Sequence, residues 1–159
     1  MNKLKWIILI LICFACMGYF REFFFVHLNN IMYYKYYNRI PELPIPKLMF
    51  FFDSFSFKSL YYFKYIFTFF WASLFLICNY FTLKKLTNTA FLIKLLFIAY
   101  ALILLIASVA MLYGYLINNR LQSDEYTLSR WLLGIAQSPL ICLILLASEK
   151  LYNKSIKND

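Results

Sequence analysis

Residues 95–117, "LLFIAYALILLIASVAMLYGYLI", carry no charged side chain. That one run decides the medium in which the chain folds. It is long enough, as a helix, to cross a hydrocarbon core of about 30 Å, which takes roughly 17 to 25 residues. A water-soluble domain would have to bury such a helix on every side, and this chain has little with which to do so. It is 159 residues long, 64% apolar and only 14% charged, so its hydrophobic surface exceeds what one small core can hide. The sequence predicts an integral membrane protein.

Three other segments meet the same length criterion, giving predicted spans at about 4–20, 60–81, 90–117 and 131–148. The expected architecture is all-α: a four-helix membrane bundle forming one domain over residues 1–159. The first run follows Lys3 and Lys5 and so has the outline of a signal peptide. No small-x-small site follows it, however, because "CFACMGYF" leads directly into "REFFFV". We expect a retained anchor.

Charge sets the expected orientation. The formal net charge is +9, and the lysines stand mainly at the edges of apolar runs, where lipid headgroups explain them better than nucleic acid does. With the N-terminus inside, residues 1–5, 82–94 and 149–159 hold eight lysines and two acids in 29 residues. The outer stretches, about 21–64 and 118–130, spread eight basic and five acidic residues over 57. Both termini are thus predicted to be cytoplasmic. All four arginines (Arg21, Arg39, Arg120 and Arg130) then fall outside. A guanidinium can grip a carboxylate or phosphate in a planar two-pronged contact that lysine cannot make, which makes the outer face the place to look for a partner.

The predicted outer loop, 21–59, is too aromatic for water and too interrupted for a span. Phe23, Phe24, Phe25, Tyr33, Tyr34, Tyr36 and Tyr37 suit the headgroup zone, where a ring is buried while a hydroxyl stays wet. "PELPIP" at 41–46 breaks any helix and forces an extended passage. The sequence predicts a short interfacial helix, the extended passage, and an apolar patch near 48–57 on the membrane or under a partner.

Residues suited to chemistry are few. Cys13 and Cys16 have CxxC spacing, but they lie inside an apolar run, which quiets a thiol, and Cys78 and Cys142 stand alone on other segments. His27 is the only histidine, so no metal cluster is expected. The acids sit at span edges or in loops, which disfavours a proton relay. Lys64 and Lys94 lie about one turn inside their spans, from where a long stem snorkels to the headgroups. We expect no catalytic triad, no cofactor and no metal, and hence no enzyme.

The best candidate site is "SRWLLGIAQSPL", 129–140, at the mouth of the fourth span. At 3.6 residues per turn Arg130, Gly134 and Gln137 share a stripe, with Gly134 leaving a dent between charge and amide. Pro139 supplies no N–H and deprives the Ile135 carbonyl of its helical partner; Ser138, Gln137, a water or a neighbouring helix must replace it. Such polar groups serve either as interhelical glue, contributing about 0.6 to 2 kcal/mol, or as part of a ligand site. The candidate binding residues are therefore Arg21, His27, Arg120, Arg130, Gly134, Gln137, Ser138 and Pro139.

Three stretches, "REFFFVHLNN…YYKYYN", "SLYYFKYIFT" and "YTLSRWLLGIAQSPL", taken in order and with four spans, resemble the small bacterial membrane proteins associated with exosortase systems. The resemblance covers about residues 5–148. It implies an accessory role beside a membrane transpeptidase or in surface export, and it transfers no activity to any residue. The expected function is a non-enzymatic scaffold whose partners are membrane lipids and a larger membrane protein, with no nucleic acid. The other expectation is a lipid-phosphate-binding transporter subunit in which Arg21, Arg120 and Arg130 clamp phosphate. The sequence sets no oligomeric state.

Overall fold

The computed structural model describes residues 3–39, 43–87, 89–118 and 127–158. It is helical, without a strand among the described residues. The helices are α1 (Lys3–Tyr37), α2 (Phe50–Asp53), α3 (Phe57–Leu86), α4 (Ala90–Asn118), α5 (Thr127–Ala136) and α6 (Leu140–Asn158), with a 3-10 turn at Lys47–Met49 before α2. Three helices are long and apolar enough to cross a membrane, and a fourth crossing follows if the bent pair α5–α6 counts as one span. The chain is a multi-pass membrane protein. It gathers into two compact units, Met1–Trp71 and Ala72–Asp159.

In the first unit, α1 does not stop where its hydropathy falls. The expected span ended near residue 20 and handed over to a loop, whereas the helix runs on unbroken for 35 residues to Tyr37. The reason is local: no proline occurs before Pro41, and Gly18 is the only glycine in this stretch, so nothing in 21–37 breaks the backbone ladder. The stop comes from Asn38, which adopts a left-handed conformation with φ 50°. The Arg39 N–H then reaches back to the Tyr34 carbonyl at 3.1 Å, a six-to-one closure that satisfies a terminal carbonyl. Residues 44–46 carry no regular structure, as the prolines require.

The core of this unit is Leu28, Ile31, Met32, Met49 and Leu60. Around it the phenylalanines pack ring to ring: Phe24 lies tilted at 4.2 Å from Phe67 and edge-on at 5.5 Å from Phe52, and Phe55 lies edge-on at 5.3 Å from Phe63, ring centre to ring centre. Part of the expected headgroup belt is thus core, while Tyr33, Tyr36 and Tyr37 remain exposed. The 48–57 patch divides in the same way. Leu48, Phe50 and Phe51 face outward, and Met49 is fully buried.

Lys35 ties the end of α1 to the turn before α3. Its Nζ donates to the backbone carbonyls of Asp53 and, at 2.9 Å, of Phe55, and lies 3.4 Å from the Asp53 carboxylate. A cation at the last carbonyls of a helical turn satisfies acceptors that have no intrahelical donor. Ser56 then opens α3 as its N-cap, its Oγ accepting from the Ser59 N–H at 3.3 Å.

The second unit packs the end of α3 with α4, α5 and α6 around Leu83, Leu92, Leu96, Tyr100, Ala136, Ile141, Cys142 and Leu145. Thr87 closes α3, with both its N–H and its Oγ bonding to the Leu83 carbonyl. The α3–α4 turn is fastened to α6 by Thr89 Oγ1 donating to Glu149 Oε1 at 2.7 Å. The expected fourth helix, 131–148, is not continuous: α5 ends at Ala136, α6 starts at Leu140, and their axes bend by 65°. Pro139 explains it, since it removes a donor and its ring opposes the carbonyl four residues back.

Candidate functional site

The break between α5 and α6 exposes backbone acceptors that a straight helix would use. The Ile135 carbonyl would have bonded the N–H that Pro139 lacks; instead Ser138 Oγ donates to it at 2.7 Å. The Ala136 carbonyl, freed because the Leu140 N–H turns to Ser138 Oγ at 3.3 Å, receives the Tyr100 hydroxyl from α4 at 2.8 Å. The Ser138 carbonyl receives Asn79 Nδ2 from α3 at 3.2 Å. The same Nδ2 also donates to Tyr100 Oη at 2.8 Å. Three loosened carbonyls thus have three side-chain donors, and the bend is built into the packing rather than left to water.

Asn79 is 0% exposed and Tyr100 2%. The orientation of the amide follows from its neighbours. The Tyr100 hydroxyl spends its proton on Ala136 and the Ser138 carbonyl can only accept, so both face the NH2 side of Asn79. Its Oδ1 is left buried without a hydrogen-bond partner, which costs about 1–3 kcal/mol.

The residues expected from the sequence fall as follows. Gln137 is 4% exposed and lies in the break, its backbone N–H bonded to the Leu133 carbonyl at 3.0 Å; in this conformation a macromolecule does not reach its side chain. Ser138 and Pro139 are half-buried in the same break, and Ser138 supplies the replacement donor at Ile135. Gly134 is half-buried, and a methyl group added there meets no heavy atom within 4 Å, so the dent is open. Arg130 is exposed on α5, near Leu128 and Trp131, which are 60% and 72% exposed. Arg21 and His27 lie half-buried on α1 in the first unit. The His27 ring packs edge-on against Phe23 at 4.6 Å, and its Nδ1 is buried with no hydrogen-bond partner. Arg120 lies outside the described residues.

Cys13 and Cys16 are both exposed on α1, and Cys142 is buried in the core of the second unit. Among the described residues no three His, Cys, Asp or Glu side chains gather at metal-ligand spacing. Sequence reasoning missed Asn79 and Tyr100, the two side chains that hold the break. The signal was present: an amide in the apolar run "LFLICNYF" and a phenol inside a charge-free span are polar groups in lipid, which need named partners. No family model matches the chain, and no curated protein or solved structure matches it.

Proposed function

We propose that the protein is a non-enzymatic accessory subunit that holds a larger membrane partner, its four crossings leaving both termini in the cytoplasm. The observation that carries this reading is the state of α1. None of the residues in its most apolar 18-residue window is buried inside the chain, although α3 and α4 each bury part of theirs. The core residues Leu28, Ile31 and Met32 come from the far part of α1, so the apolar window keeps its surface available to another protein's helices, where packing rather than hydrophobicity drives association. On α5, Arg130 with Leu128 and Trp131 offers a second outward surface, a charge beside an exposed indole, of the composition that anchors interfaces. The Thr89–Glu149 bond supports counting α5–α6 as one crossing, because it returns α6 to the end of the unit where α4 began. The resemblance of three sequence stretches to exosortase-associated proteins directs attention to a membrane transpeptidase or surface-export component as the partner.

The test is site-specific photocross-linking in native membranes from Leu11 and Ile12, which are 60% and 55% exposed, and from Trp131. The expected outcome is a discrete protein adduct from both helices, identified by mass spectrometry as one transpeptidase or export component. Adducts with lipid alone from all three positions refute the reading. Adducts with lipid-linked sugar phosphate, lost on Arg130→Ala, replace it with the lipid-handling alternative.

A further inference from the structure

The end of the second unit formed by the α3–α4 turn and α6 is rich in cations and holds one carboxylate among the described residues. Lys84 and Lys85 close α3, Lys94 lies in the second turn of α4 and Lys150 on α6, and all four are exposed. The Thr89–Glu149 hydrogen bond is what gathers them, since it joins the turn between the first three to the residue before the fourth. Glu149 is the only carboxylate among the described residues of this unit, and its Oε1 is already engaged by Thr89. Four lysines against one glutamate leave a formal +3 at this end among the described residues up to Tyr152 (4 − 1), and the sequence beyond adds Lys154, Lys157 and Asp159.

What stands beside these cations identifies their counterpart. Phe81, Phe91, Leu151 and Tyr152 are 60%, 67%, 70% and 68% exposed, one to three residues from a lysine in each case. Lys84 holds its amine 5.6 Å from the centre of the Tyr80 ring. Free phosphate has no use for the exposed rings of Phe81 and Phe91, which stand one helical turn from Lys84 and Lys94. A lipid does: its acyl chains cover the rings and its phosphate meets the amines, and lysine stems are long enough to serve both.

We infer that this end of the unit is a docking surface for anionic phospholipid, with Lys84, Lys94 and Lys150 meeting headgroup phosphates while Phe81, Phe91 and Tyr152 contact the first methylenes of the chains. It goes beyond the accessory role and does not depend on any protein partner.

The experiment is native mass spectrometry of the full chain in mild detergent, with phosphatidylglycerol and phosphatidylcholine added in equal amounts. The wild-type protein is expected to retain phosphatidylglycerol preferentially, and the preference to fall about fivefold for each lysine replaced by glutamine at 84, 94 and 150. The triple Lys→Arg variant keeps it, since the charge is unchanged. As a measurement that needs no variant, the preference of the wild-type protein declines as salt rises from 0.05 to about 0.5 M, where screening shortens to a few ångströms. Equal retention of the two lipids by the wild type, a preference indifferent to salt, or one kept in full by the Lys→Gln triple variant overturns the inference. Displacement of the bound lipid by millimolar glycerol phosphate overturns the lipid assignment, because it leaves the acyl chains no part.

Discussion

Replacing Tyr100 by phenylalanine removes one oxygen and leaves the ring that fills the core of the second unit. That oxygen makes two bonds, donating to the Ala136 carbonyl at 2.8 Å and accepting from Asn79 at 2.8 Å. Its loss strands a helix-end carbonyl and one amide hydrogen in a region from which water is excluded. Hydrogen bonds between membrane helices average about 0.6 kcal/mol and reach about 1.7, so two of them put the cost of Tyr100→Phe at roughly 1–3 kcal/mol. Asn79→Leu behaves differently. It also removes two bonds, but with them goes an amide oxygen that is buried and unpaired, whose burial costs about 1–3 kcal/mol. The expected result is that Asn79→Leu costs at least about 1 kcal/mol less than Tyr100→Phe and lies near neutral. Reversible unfolding in mixed micelles, by titration with denaturing detergent, measures both, and the double variant gives the coupling. A Tyr100→Phe protein within about 0.5 kcal/mol of wild type, or an Asn79→Leu protein less stable than Tyr100→Phe, refutes the account of the break.

Other expectations follow from single contacts. Ser138→Ala leaves the Ile135 carbonyl without its donor and should cost about 0.6–1.7 kcal/mol in the same titration, whereas Ser138→Thr retains the hydroxyl and most of the stability. Gly134→Ala meets open space, so it should stabilise the isolated protein by about 0.4–1 kcal/mol through helix propensity; a loss of stability would mean that the dent is filled from within. Lys35→Met keeps the aliphatic stem but abandons the Asp53 and Phe55 carbonyls, and should quicken proteolysis at the α2–α3 turn several-fold, with Lys35→Arg closer to wild type. A charged maleimide added to intact membranes should label none of Cys13, Cys16, Cys78 and Cys142, and all four after solubilisation in denaturing detergent. Labelling of Cys13 in intact membranes would remove α1 from the bilayer.

How far the sequence discloses this fold depends on what each element asks of it. The third span was readable almost to the residue, as 90–117 against Ala90–Asn118, because an apolar run bounded by polar residues at both ends is at once a hydropathy segment and a helix. The first was not, because those two properties part company in α1. Hydropathy falls at Arg21, but the helix ends only where Asn38 turns left-handed. A change of side-chain polarity does not interrupt a backbone ladder, and only the absence of glycine and proline between 19 and 37 carried that information. At the fourth span the cause was legible, in Pro139 and the stranded Ile135 carbonyl, and Ser138 was among the donors expected. The 65° size of the bend was not. The side chains that bond the carbonyls of the break, Tyr100 and Asn79, are distant from it in sequence and meet it only by packing. The candidate arginines show the opposite limit: sequence assigned them a shared outer side from charge statistics, which say nothing about which of them meet.

One dimension of α1 bears on where its far end works. Thirty-five helical residues rise about 52 Å at 1.5 Å each, and even at a tilt near 20° the rod stands about 49 Å tall. The oily slab is about 30 Å deep. A single crossing by α1 would leave nearly 20 Å of helix, more than three turns, outside that slab. The contacts of Lys35 with Asp53 and Phe55 lie in the last turn of this helix. The length of α1 is thus fixed by its backbone rather than by the thickness of the slab, and the surplus helix is aromatic.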